Sequence, residues 1–108
     1  MMNFQKMMQQ AQQMQFKMQE MQEKLGDIEV EGQSGGGLVK VQMSCKGEVL
    51  GMDIDAGIIS PDDKETMEDL IVAALNNANA AKDERVKSET EAMMKDLGLP
   101  AGTQLPGV

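Results

Sequence analysis

Lys6, Lys17 and Lys24 are separated by eleven and seven residues. On a straight helix at about 100° per residue they fall within about 20° of one another, in one row that can meet a line of phosphates. The Gln residues beside them supply hydrogen-bonding neighbours. Composition alone favours the plainer account of this row, a solvated helix face. A second basic cluster, Lys82, Arg85 and Lys87, is diluted by Asp83, Glu84 and Glu89. Ion pairs from i to i+4 on an exposed helix explain it equally well.

Signals for catalysis are poor. The chain has no His, so the commonest acid–base group and nitrogen metal ligand are missing. Its one cysteine, Cys45, cannot form an intrachain disulfide or a thiolate metal cluster, and its place in a strand predicts a small buried hydrophobe. A catalytic thiol needs a base and an electropositive setting, and the sequence indicates neither. Gly35-Gly36-Gly37 lacks the lysine of a phosphate-binding loop and the spacing of a dinucleotide fingerprint, so a hairpin loop is expected. Asp53 and Asp55 stand two apart at a strand end and read as solvated acids. No catalytic, cofactor-binding or metal-binding residue is assigned, and neither a cofactor nor a small-molecule substrate is expected.

The elements that must position the cations follow from hydrophobic periodicity. Phe4, Met7, Ala11, Met14, Met18, Met21 and Leu25 alternate in steps of three and four, the a and d positions of successive heptads. Seven of the twelve methionines lie within positions 1–21. The strict alternation favours a coiled-coil or bundle seam over an adaptable groove for apolar peptides. Met8 and Phe16 lie off the stripe and widen it. Gly26 is the expected C-cap.

Val39, Val41, Met43 and Cys45 then alternate with Lys40, Gln42 and Ser44, the period of a half-buried strand. A two-residue turn at Lys46-Gly47 would set Met43 opposite Leu50, Val41 opposite Met52 and Val39 opposite Ile54. An earlier strand near 28–33 places Ile28 and Val30 on the same apolar face if the glycine loop holds an even number of residues. The other face carries Leu38, Lys40, Gln42 and Ser44. Such a meander needs a cover. Ser60 as N-cap, Pro61 at N1 and the acids Asp62 and Asp63 predict a second helix from about 61 to 97. Its apolar face is Met67, Leu70, Ile71, Ala74, Leu75, Ala78 and Ala81. Beyond Lys82 only Val86, Met93 and Leu97 continue a sparse stripe, so that half is expected to project. The expected fold class is α+β: N-terminal helix, three-stranded antiparallel meander, long C-terminal helix.

The chain of 108 residues suits one domain, expected over 1–98 with a flexible tail over 99–108. Formal net charge is −8 and unevenly spread. Residues 1–25 hold three lysines against two glutamates, 26–61 two lysines against six acids, and 62–108 five bases against ten acids. The N-terminal helix is thus the surface least hostile to a polyanion. No apolar run approaches the ~18–20 residues of a membrane span, and the N-terminus lacks the order of a signal peptide, so a cytoplasmic protein without a membrane partner is expected.

Several segments together resemble the YbaB/EbfC family of bacterial nucleoid-associated proteins. They are Ala11-Gln12-Gln13-Met14-Gln15, Lys17-Met18-Gln19-Glu20-Met21-Gln22, Gly37-Leu38-Val39-Lys40-Val41, Val49 through Asp55, and Asp62-Asp63-Lys64-Glu65 through Asn76-Asn77-Ala78. The segments Leu97-Gly98-Leu99-Pro100 and Leu105-Pro106-Gly107 add to the likeness, which spans nearly the whole chain in order. The resemblance implies a homodimer with projecting helices that binds double-stranded DNA with little sequence preference, alters its conformation and associates with the nucleoid in the cytoplasm. It implies no catalytic activity and no cofactor. Charge and geometry then nominate Lys6, Lys17, Lys24, Lys82, Arg85 and Lys87 for phosphate contact, and Leu38 with Met14, Met18 and Met21 for the dimer interface. The rival reading is a protein–protein adaptor or holdase that uses the Met-rich helix.

Overall fold

The computed structural model describes residues 3–98, so the tail expected over 99–108 lies outside the described residues. Helix α1 (Phe4–Asp27) opens at Asn3, whose Oδ1 accepts a hydrogen bond from the Gln5 backbone N–H at 3.1 Å. Asn is a favoured N-cap because it satisfies a backbone donor that the first turn leaves orphaned. The helix does not end on Gly26 as expected. It runs on through Asp27, so the cap falls two residues later than expected, at Ile28. The Cys45 backbone N–H explains the difference, since it donates to the carbonyls of Leu25 (3.2 Å) and Ile28 (2.9 Å). A neighbouring strand thus satisfies the helix end, and no left-handed residue is needed there.

Strands β1 (Glu29–Ser34), β2 (Val39–Ser44) and β3 (Val49–Ile54) form an antiparallel sheet in the order β1-β2-β3. The loop between β1 and β2 is Gly35 to Leu38, an even number of residues, and all three of its glycines have positive φ. Val30 accordingly faces Met43, and Ser34 faces Val39. The register Val39↔Ile54 and Val41↔Met52 is as expected, but Met43 pairs with Val49 instead of Leu50. Ser44 is the physical reason. Its hydroxyl accepts from the backbone N–H groups of Lys46 (3.2 Å) and Glu48 (3.3 Å), which builds a wider turn than Lys46-Gly47 alone. Leu50 is left as the extra residue of a bulge. The same bonds bury Ser44, which the alternation had placed on the open face.

Asp55 caps a single 3₁₀ turn, Ala56–Ile58, by accepting from the Gly57 N–H at 2.7 Å. The turn after Pro61 is also 3₁₀ (Pro61–Asp63), and helix α2 proper spans Lys64–Asp96. Ser60 does not cap it. The Ser60 hydroxyl donates to the Asp63 carboxylate at 3.0 Å.

Two small cores hold these elements. In the first, Val39, Val41 and Met43 of β2 pack against Ala74 and Ala78 of α2, with Leu70, Ile71 and Leu75 beside them. Gly32 of β1 lets α2 come this close. A Cβ at Gly32 would stand 2.1 Å from the Ala78 backbone nitrogen and 2.5 Å from the Ala74 carbonyl oxygen. Two side chains fix α2 along β1: the Ser34 hydroxyl donates to the Leu70 carbonyl (2.6 Å), and the Asn77 amide donates to the Gln33 carbonyl (2.8 Å).

The second core lies beyond the sheet. Met21 and Leu25 of α1 pack with Cys45, Met93 and Met94, and Met14, Met18, Val86 and Leu97 adjoin them. The charged half of α2 therefore does not project alone. It pairs antiparallel with α1 as a two-helix arm, and the molecule extends 73 × 21 × 16 Å. Its radius of gyration is 19.5 Å, against about 13 Å for a compact domain of this length. Thr90 completes the α2 seam between Val86 and Met93; its hydroxyl donates to the Val86 carbonyl at 2.8 Å and lies 3.8 Å from the Met21 sulfur. Back-bonding to the helix lets a polar residue occupy an apolar row.

Substitutions separate these contacts. Gly32→Ala is expected to lower stability by about 1–3 kcal/mol through overpacking, while Gly26→Ala, in an ordinary helical conformation, should be neutral or stabilising by up to about 1 kcal/mol. Urea unfolding followed by circular dichroism measures both, and a Gly32→Ala variant as stable as the parent would refute the close approach. On the stripe, Met21→Ala should cost about 2–5 kcal/mol, and Met7→Ala about 0.5 kcal/mol or less. Equal losses at the two positions would contradict the graded burial of α1.

Candidate nucleic-acid interface

The arm sorts the stripe of α1 by depth. Met21 is 5 % exposed, Met14 and Met18 are half-buried, and Phe4 is 72 % exposed. Met7, Met8 and Phe16 also face solvent. Gln9, Gln12, Gln13, Phe16 and Lys17 line a groove with Asp96 and Leu97 of α2. The residues of α1 before Gln9 therefore lie past the described end of α2. From Asn3 to Gln19 the chain carries Lys6 and Lys17 and no acid. A protein of net charge −8 thus places an acid-free segment at the outer end of its arm.

The six nominated cations are not equivalent. Lys6 and Lys87 are exposed and make no ion pair among the described residues. Lys17 lies 3.8 Å from Glu20 of its own helix, and Lys82 is 3.0 Å from Asp83. Lys24 of α1 reaches across to α2, with its Nζ 2.8 Å from Glu89 Oε2. Arg85 Nε donates to the other oxygen of the same carboxylate at 3.1 Å. Hydrogen bonds from Lys24 and then Arg85 hold the Glu89 carboxyl below the usual carboxylate range. Lys17 and Lys24 share a shallow groove with Glu89, Met93 and Asp96. The structure thus gathers Lys24 and Arg85 on Glu89, places Lys17 along the same groove with Glu20 as its partner, and leaves Lys6 and Lys87 outside that group. The side chains of Lys17, Lys24 and Arg85 keep contact with solvent, so phosphate can compete for these cations.

Lys82 belongs to a different groove. It lines a hollow with Lys46, Asp83, Val86, Leu25 and Cys45. Lys46, which the sequence marked only as a turn residue, lies along Gly26, with its Cε 3.4 Å from where a Cβ there would stand. Burial pushes the Cys45 thiol up; Arg85 and Lys82 oppose this more weakly, and Glu89 adds to it. A buried thiol with a raised pKa is a poor nucleophile. Among the described residues no group of three or more His, Cys, Asp or Glu side chains could hold a metal ion. No helix among them is long and apolar enough to cross a membrane.

Of the nominated interface residues, Met21 is buried within its own chain, and Met14 and Met18 pack on the same core. Leu38 is half-buried; its Cδ1 and the Leu70 Cδ2 both come within 3.2 Å of where a Cβ at Gly35 would stand. Exposed apolar side chains lie elsewhere on the sheet. Helix α2 covers β1 and β2, which leaves Val49, Leu50 and Met52 exposed on the edge strand β3. Periodicity had assigned Leu50 and Met52 to the covered face. An uncovered apolar edge strand invites pairing with another chain.

The fold and the sequence both have known counterparts. The crystal structure of an uncharacterized protein from Helicobacter pylori superimposes with a TM-score of 0.75 at 29% sequence identity, covering 87% of this chain and 99% of that one. A Rhodopseudomonas palustris (strain TIE-1) protein named nucleoid-associated protein is 50% identical over 99 residues, covering 92% of this chain and 93% of its own length. A Bradyrhizobium protein of the same name is 49% identical over 96 residues, covering 89% of this chain and 91% of its own. The family model described as the YbaB/EbfC DNA-binding family matches residues 1–97. With nearly its whole length inside that match, the chain belongs to the YbaB/EbfC DNA-binding family.

Proposed function

We propose that this chain is a DNA-binding, nucleoid-associated protein of the bacterial cytoplasm whose single domain, residues 1–98, acts as a homodimer and grips double-stranded DNA with its two-helix arms. The observation that carries this reading is the acid-free segment of α1 at the outer end of the arm. A polyanion is repelled by most of a chain with net charge −8, so contact is confined to local rows of cations. Lys6, Lys17, Lys24, Lys82, Arg85 and Lys87 meet phosphates, and the Gln side chains of α1 hydrogen-bond to the backbone. Phosphate contacts position a protein without reading sequence, which suits little sequence preference. Two arms on one dimer favour a bent duplex, and bending couples binding to DNA deformability, to nucleoid organisation and to gene regulation. No step of this role needs a cofactor or a covalent reaction.

The dimer places β3 at its centre. Val49, Leu50 and Met52 are exposed apolar residues on an edge strand of the sheet, whereas Met14, Met18 and Met21 pack within their own arm. Leu38 borders the body beside Leu70. A second reading rests on exposed Phe4, Met7, Met8 and Phe16, which would suit an adaptor or holdase that takes apolar peptides.

Fluorescence anisotropy with a random-sequence duplex tests the DNA reading. The affinity should fall by roughly 0.9 log units per tenfold rise in salt for each phosphate neutralised, and Lys6→Glu with Lys17→Glu should weaken binding at least about tenfold at low salt. No binding by the parent at low salt, together with binding of a labelled apolar peptide, would favour the adaptor instead. For the assembly, Met52→Asp should convert a dimer into a monomer by light scattering while circular dichroism stays unchanged; a persistent dimer would remove β3 from the interface.

A further inference from the structure

Among the described residues, one ion-paired carboxylate joins the two helices of the arm. Glu89 sits on α2 with 15 % of its side chain exposed, and it engages Lys24 of α1 at 2.8 Å and Arg85 of α2 at 3.1 Å through different oxygens. The side chains of Lys24 and Arg85 are themselves 62 % and 49 % exposed. The cations therefore face solvent while their counter-charge lies beneath them. A carboxylate that offers two oxygens to two cations presents what a phosphate diester presents to the same pair. The hydrogen bonds from Lys24 and Arg85 favour the ionised form of Glu89.

We infer that Glu89 is a built-in counter-ion that competes with DNA phosphate for Lys24 and Arg85 and so holds the affinity of the arm below what its cations would give. This inference rests on the DNA-binding reading above. Two cations and one carboxylate give the cluster a net charge of +1, so an approaching phosphate meets one uncompensated charge where the two side chains carry two. Glu89 contributes no DNA contact of its own. It acts through the two cations, which makes it a positioning residue, and its imprint is electrostatic. Each cation already neutralised by protein releases fewer condensed counterions from DNA, so the cluster flattens the salt dependence of binding. A weakly held, readily released protein is the result.

The test compares Glu89→Gln with Glu91→Gln in the full chain, using anisotropy of a random duplex over a salt series. Both variants change net charge equally, and Glu91 is exposed and makes no ion pair among the described residues. Glu89→Gln should tighten binding about three- to fivefold at low salt, the Coulomb effect of one charge at contact distance in water. It should also steepen the plot of log K against log salt by about 0.9, one additional phosphate. Glu91→Gln should do neither beyond the general effect of one lost charge. In a Lys24→Gln/Arg85→Gln background, Glu89→Gln should change affinity no more than Glu91→Gln does, and thermal melting verifies that each arm remains folded. Equal effects of the two Gln variants, an unchanged salt slope, or weaker binding by Glu89→Gln would each overturn the inference while the DNA-binding reading stands. Absence of DNA binding by the parent chain at low salt would overturn that reading, and the inference with it.

Discussion

The close approach of α2 to β1 at Gly32 is the constraint on which the rest depends. With no side chain at that position, the backbone of Ala74 and Ala78 settles onto the strand, and their methyl groups cover Val39, Val41 and Met43 with Leu70, Ile71 and Leu75 beside them. A sheet of three strands cannot stand without such a cover. Ser34 and Asn77 fix the direction of the helix as it crosses β1, and that direction carries the remainder of α2 past the sheet. There α1 meets it. The arm is thus an extension of the first core, and its geometry is set about a dozen residues before Glu89.

The arm resolves an electrostatic conflict. A strongly acidic chain repels nucleic acid at long range, yet its family binds DNA. The fold separates the two tendencies in space, with acids on the sheet and along α2 and an acid-free stretch of Gln, Met and two Lys at the outer part of α1. The seam that holds the arm is soft, built of Met14, Met18, Met21, Met93 and Met94. Unbranched methionine fills an irregular helix–helix contact with no aromatic side chain in it among the described residues.

Much of this architecture was legible because it is periodic. The heptad stripe placed Met21 and Leu25 in a seam, and the strand alternation set Val39 and Val41 against Ile54 and Met52. What periodicity missed was made by single atoms. The Ser44 hydroxyl widened a turn and displaced Leu50 into a bulge, and the Cys45 N–H replaced a glycine cap at Gly26. Gly32 carries no periodic signal of its own, and only the approach of a second backbone gives it meaning. Glu89 read as an acid diluting a basic cluster; its partner Lys24 is 65 positions away in the chain, and no local pattern could join them. The exposed strand β3 was misjudged for a related reason, since alternation tells which face a residue takes but not how wide the covering helix is.

The DNA footprint can be read directly on the protein. Amide chemical shifts recorded while a short random duplex is added should move along α1 from Gln5 to Lys24 and along α2 from Lys82 to Lys95, and remain fixed at Glu29, Glu31, Gln42 and Asp53 on the open face of the sheet. Shifts confined to that open face, with the arm unmoved, would contradict a DNA-gripping arm.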